Sequence, residues 1–236
     1  MQTVSETYRS LWGKVTTWQE TKVTVGGVDY QGNTLFSVHT DSSVFSTDTP
    51  TVGGCIARQI DLEIMAESSA VPKMGKIRPY IRLANGETRS EWIAKGVFFV
   101  DTRSYDEESG IITLHGYDAM LKTEKSYTTS GDQGYWPKTD RATVDEICQK
   151  IGVELDQRTA AVLTSGYLVN YPGYGEGAYT MREVLSTIAA MYAGNFIMTE
   201  VGKLHLIRLG DLPAETNYLV TQTGDNITLG GVRLLV

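Results

Sequence analysis

The 236-residue, 26.0 kDa chain is 41% hydrophobic and 21% charged, an ordinary globular composition with core enough for one large domain or two modest ones. A net charge of −7 and a pI near 5.0, with no Lys/Arg cluster along the sequence, argue against sequence-specific nucleic-acid binding. No run approaches the ~20 apolar residues of a membrane span, and the start MQTVSETYRS lacks a basic-then-apolar secretory signal, so synthesis in the cytoplasm is expected.

Glycine outnumbers proline 24 to 6 and there are 13 tyrosines, a balance that leans towards β structure with tight turns. From the N-terminus, Val4, Tyr8, Leu11, Trp12 and Val15 fall at helical spacing, predicting a short amphipathic helix within 3–15 packed on its own domain. Lys22 to Val25 reads as a strand turning at Gly26-Gly27 into a return strand, Val28 to Gln31. After a loop with Pro50 and Gly53-Gly54, Cys55 to Ile64 reads as a strand. Ile60, Leu62 and Ile64 face in, and Gln59, Asp61 and Glu63 face out.

Ile77, Ile81 and Leu83 then alternate with Arg78, Tyr80 and Arg82, another strand with one buried face. Asn85-Gly86 offers the pair that tolerates positive φ in a hairpin turn. An aromatic and β-branched run, Trp92 to Val100, should pair back. A polar turn at 106–110 leads to Ile111–His115 and a helix-like segment with Tyr117, Met120 and Leu121 on one side.

The composition changes after Tyr127. Residues 128–134 read as a linker, and beyond Pro137 the apolar period lengthens to about 3.6. Val144, Ile147, Cys148 and Ile151 form a helical face, with Thr143 and Glu146 read as a capping box and Gly152 as the stop. A second helix starts at Thr180 with Glu183 three residues on. It carries Val184, Ile188, Met191 and Tyr192 and stops at Gly194. Strands 195–199 and 203–209 follow. Strand-like Tyr218 to Gln222 and apolar Val232 to Val236 suggest a further β segment, cut short.

Certain stretches, in this order and spacing, resemble the tail hub proteins of phages and prophages of Gram-positive bacteria, including the N-terminal region of the tail-associated lysin. In the first half they are Trp92-Ile93, Gly96-Val97-Phe98-Phe99-Val100-Asp101 and Gly116-Tyr117-Asp118-Ala119-Met120-Leu121. In the second they are ATVDEICQKIGVELD and YTMREVLSTIAAMYAGNFIMTEVGKLHLIRL. The reading is α+β. An N-terminal antiparallel β-barrel-like hub domain with its helix (1–127) precedes a small α/β domain of two helices on a short sheet (128–212), then the start of a truncated β segment (213–236). The resemblance implies a virion structural protein of the tail tip, part of a hub ring joining the tail tube to distal fibre or lysin components. It also implies a homotrimer when full length and other phage tail proteins as partners, with no membrane partner. The alternative is a cell-wall-targeting module, either a peptidoglycan hydrolase or a carbohydrate-binding domain.

No catalytic, cofactor-binding or metal-binding residue is assigned, and no cofactor is expected. Cys55 and Cys148, in different predicted domains, read as buried free thiols rather than a disulfide. His39, His115 and His205 lack a motif partner for acid–base work and read as ordinary strand histidines. Asp61 and Glu63 share a strand face, unlike a glycosidase pair across a cleft. The cluster Pro172-Gly173-Tyr174-Gly175-Glu176-Gly177 lacks phosphate-loop spacing and reads as a tyrosine-bearing contact loop. Asp106-Glu107-Glu108 lacks the calcium-loop order and reads as a hairpin tip. Trp12, Trp18, Trp92 and Trp136 are expected to be mostly packed. An acidic ring lumen would let DNA pass without adhesion.

Overall fold

The computed structural model describes residues 4–45, 50–128, 136–164, 166–173 and 177–211, with strand pieces at 228–229 and 232–233. The chain starts with a helix, α1 (Glu6–Leu11), shorter than the spacing implied. Ser5 caps it by accepting from the Tyr8 amide, and the Ser5 amide in turn donates to Glu91 at 2.7 Å. Only Leu11 of this helix is buried, and Trp12 beyond it is 68% exposed.

Nine strands then form one antiparallel sheet. They are β1 (Trp18–Val25), β2 (Val28–Gln31), β3 (Leu35–Asp41), β4 (Gln59–Met65), β5 (Lys76–Asn85), β6 (Thr88–Arg89), β7 (Ile93–Ala94), β8 (Phe98–Asp106) and β9 (Ile111–Asp118). The order is β2-β1-β5-β8-β9-β4-β3, with β6 and β7 also pairing along β5. Although β2 and β3 are the two ends of that order, a single 3-10 turn at Gly32–Thr34 joins them. The sheet must therefore curl until its ends meet at this turn. Among the described residues no hydrogen-bonded ladder joins β2 to β3, so the sheet is mostly antiparallel as expected but no closed barrel is formed.

Alternation makes the interior of that curl. Ile60, Leu62 and Ile64 of β4 point inward with Val23, Val25, Ile77, Phe98, Val100, Ile112 and Leu114, all buried in one cluster. The aromatic run Trp92 to Val100, predicted as one strand, is divided between β7 and the start of β8, which with β6 line one edge of β5. The hairpin turn after β5 centres on Gly86 and Glu87, and of these only Gly86 has positive φ, at 58°. Asn85 still pairs with Thr88, so it ends the strand and is not a turn centre.

A second core gathers α2 (Asp140–Ile151), α4 (Met181–Met191) and the hairpin of β12 (Gly194–Met198) with β13 (Leu204–Arg208). Beside them lie α3 (Gln157–Val162), which periodicity did not reveal, and the short pair β10 (Lys138–Thr139) and β11 (Leu168–Val169). Val144, Ile147, Cys148 and Ile151 are buried as the helical face predicts, and Gly152 ends α2 at φ 72°. The cap of α2 is one turn earlier than expected: Thr139 accepts from the Ala142 amide, while Thr143 lies inside the helix and donates back to the Thr139 carbonyl at 2.9 Å. In α4 the Thr180/Glu183 box is present. Ala193, at φ 50°, carries the turn out of α4, and Gly194 opens β12 instead of stopping the helix.

Two parts of the first half join this second core. Cys55 bridges Phe196 in parallel, the Gly54 amide donates to Asn195 Oδ1 at 2.5 Å, and Asn195 Nδ2 donates to the Thr51 carbonyl at 2.8 Å. The segment after β9 is a 3-10 helix, Ala119–Glu124, that buries Ala119 and Met120 there. Leu121 is exposed and Tyr117 belongs to β9, so the one-sided helix expected here is not formed. Of the predicted linker, Thr128 is buried and donates to the Gly173 carbonyl. Residues 129–134 and the expected strand 218–222 lie outside the described residues.

Asn195→Ala removes the partners of the partly buried Gly54 amide and of the Thr51 carbonyl and should cost about 1–2 kcal/mol. Urea unfolding would measure this, with faster amide exchange at Gly54 locating the loss.

Candidate functional site

His39, Asp61 and His115 stand in register across β3, β4 and β9 on the outer face of the sheet. His115 Nδ1 lies 2.7 Å from Asp61 Oδ1, and its ring packs edge-on to Tyr117. The sequence marked no partner for these histidines; strand pairing supplies one. Among the described residues no hydroxyl or thiol is hydrogen-bonded to the His115 ring, and a His–Asp pair alone can hold a proton but activates no nucleophile. Glu63 is satisfied separately, accepting from Ser37 Oγ at 3.0 Å.

His205 serves the second core. Thr159 Oγ1 lies 2.9 Å from its Nδ1 and accepts from the Leu206 amide at 2.8 Å, tying α3 to β13. Asp156 caps α3, and the Arg158 guanidinium chelating it holds its carboxyl down at about 2. Asp106 folds the hairpin tip upon itself, accepting from the Glu108 amide at 3.1 Å and Ser109 Oγ at 2.6 Å. Gly173 and Gly177 both have positive φ, while 174–176 lie outside the described residues. Among the described residues no group of three or more His, Cys, Asp or Glu could hold a metal ion, and no helix is long and apolar enough to cross a membrane.

Both cysteines are free and buried, and both pack in the second core. Burial pushes the Cys148 thiol up to about 12 and raises Cys55 as well. The tryptophans divide evenly. Trp136 packs against Tyr127 and Tyr171, and Trp92 takes Arg82 and Lys22 on its ring at 4.3 and 5.2 Å. Trp12 and Trp18 are exposed, against the expectation for most of the four.

The chemistry that sequence reading missed sits where the two cores meet. Arg58 donates to the Lys95 carbonyl at 2.7 Å and, more weakly, to the Met198 carbonyl at 3.4 Å, with its guanidinium over Phe98. Asp118, at the end of β9, accepts from the Met120 amide through Oδ1, while its buried Oδ2 has no partner among the described residues. Burial pushes this carboxyl up to about 6, against the opposing pull of the Met120 amide and the Arg58 charge.

Beside this junction opens a groove of about 340 Å³ between the start of β5, the residues around β8, the end of α2 and the β12–β13 turn. Lys76, Arg78 and Lys203 line it, and Lys122 sits over the Phe99 ring in its wall at 3.7 Å. A cation cluster therefore exists in space, although none exists along the sequence.

No protein-family model matches the sequence, and no curated protein matches it. Among solved structures, the 43 kDa tail protein of prophage MuSo2 from Shewanella oneidensis aligns over 90% of this chain and 61% of its own, at 16% identity and a TM-score of 0.50. The tail protein from Neisseria meningitidis MC58 aligns over 89% of this chain and 58% of its own, at 12% identity and a TM-score of 0.54. The chain has a phage-tail-protein fold. It spans about three fifths of the length of these tail proteins.

Two outcomes follow. Asp118 is held above the carboxylate's ordinary 3.8, so its ionisation opposes folding; that penalty is absent below pH ~4 and complete above pH ~6. Asp118→Asn, which keeps the oxygen that caps Met120, should gain about 3 kcal/mol over the parent at pH 7.5 and nothing at pH 4, read from denaturant midpoints across pH. An aromatic disulfide reagent should label neither Cys55 nor Cys148 in the native protein and both in urea; fast native labelling would contradict the burial.

Proposed function

We propose that this chain is a structural component of a phage or prophage tail tip. In this reading it forms part of the hub ring that joins the tail tube to distal fibre or lysin components, and it acts without chemistry of its own. The observation that carries the reading is the likeness in fold to tail proteins, which covers about nine tenths of the chain and so takes in both cores. Residues 1–127 would be the hub domain and 128–212 the smaller α/β domain, with Cys55 and 119–127 lent by the first to the core of the second. The full-length protein would be a homotrimer in the virion, with other tail proteins as partners, and an acidic lumen would repel DNA in transit.

A cell-wall-targeting module is the second reading. It is favoured by Trp12 and Trp18, exposed near α1 with Trp12 stacked on Tyr8 at 5.9 Å. Immunogold labelling of particles from the producing strain decides between them. Label confined to the tail tip, trimers of the full-length protein by light scattering, and no clearing of cell walls in a zymogram are expected. Unlabelled tails, or wall hydrolysis by the purified chain, would overturn the structural reading.

A further inference from the structure

The groove at the junction is anomalous in charge. Lys76, Arg78 and Lys203 line it with Glu154, three cations to one carboxylate, and Lys122 sits over the Phe99 ring of its wall, on a chain whose net charge is −7. Lys203 is already paired with Glu154 at 2.7 Å, and Lys122 donates to the Ile151 carbonyl at 3.3 Å. Lys76 and Arg78 are exposed and have no carboxylate within ion-pairing distance among the described residues. Burial pushes the Lys122 ammonium down, and the nearby charges of Lys76 and Lys125 push it further, so the repulsion there is uncompensated.

The spacing of the two unpaired cations narrows what could compensate them. Lys76 and Arg78 project from one face of β5, two residues and therefore ~7 Å apart along the strand. Carboxylates two residues apart on an extended peptide have the same spacing. The groove also has an apolar wall in Val97, Phe99, Val153 and Val201, the last 60% exposed. Its volume, about 340 Å³, suits one or two side chains. A nucleic acid fits less well. Phe99 is the one aromatic residue of the lining and carries Lys122 over its ring, which is little stacking surface for a run of bases, and the chain's net charge is −7.

We propose that this groove docks an extended peptide segment of a partner polypeptide that carries acidic residues two apart beside an apolar side chain, with the carboxylates pairing with Lys76 and Arg78. The inference rests on the groove alone and not on the tail reading. The partner contributes the negative charge that this otherwise acidic chain withholds from the groove. Salt screens such pairs, so binding weakens as ionic strength rises.

The test is an amide-resolved NMR titration of the intact chain with the peptide Gly-Glu-Leu-Glu-Phe-Gly, its Gln-for-Glu counterpart and an octathymidylate. The acidic peptide should shift resonances at Lys76, Arg78, Val97 and Lys203, with binding at least tenfold weaker in 0.5 M salt or in the Lys76→Glu/Arg78→Glu variant. The Gln peptide should leave these resonances in place. Both substituted positions are exposed strand residues, and matching circular dichroism melts confirm the fold; Lys76→Gln/Arg78→Gln serves if the reversal unfolds it. No shift with the acidic peptide, equal shifts with the Gln peptide, or preference for the oligonucleotide would overturn the proposal. So would self-association that the variant abolishes, because a second copy would then be the occupant.

Discussion

The arrangement of the two cores depends on the grip of Asn195 and Phe196 on the segment that leads into β4. Cys55 is buried among the helices, and Ile60, five residues later, is buried inside the curled sheet. A chain that must be in both places within so few residues has little freedom. The contact is made largely by backbone, through the Gly53 and Gly54 amides and the Phe196 amide, so it does not rely on side-chain packing alone. Arg58 stands in that crossing. Its guanidinium is held by carbonyls from both sides, which makes it a fastener between the lobes and not a surface charge.

The electrostatics follow from this junction. Asp118 ends β9 and caps the 3-10 helix that carries the chain into the second core, so its carboxyl is buried by the same docking that buries Met120. Its raised pKa is the cost of placing a cap in the seam. Lys122, one turn on, reaches the last carbonyl of α2, where the helix dipole favours a cation. The groove gathers its charge because β5, the 3-10 helix and the β12–β13 turn all converge at the same seam. The histidines have quieter duties: His115 belongs to a polar ladder across the sheet, and His205 belongs to a clasp between α3 and β13.

Elements written in short windows were legible from the sequence. The inward faces of β4 and α2, the Gly152 stop, the Thr180/Glu183 box and the Gly26-Gly27 hairpin each depend on residues within a dozen positions of one another. Their physics is local periodicity and local hydrogen bonding, which a linear string preserves. Where two local solutions competed, the reading slipped. Thr139 and Thr143 could each cap α2, and β10 pairing with β11 fixes the chain so that Thr139 does. The aromatic run 92–100 had strand composition throughout, yet following β5 and then β9 along its length breaks it into pieces.

By itself, then, the sequence determined an α+β chain of antiparallel strands followed by two amphipathic helices, with its thiols buried and its histidines lacking a nucleophile motif. Tertiary structure alone decided that Cys55 and Cys148 share a core, that Asp61 meets His115, and that cations from positions 76, 78, 122 and 203 surround one groove. Those contacts join residues far apart in the chain, and their existence depends on strand order and docking, which no window of adjacent residues encodes.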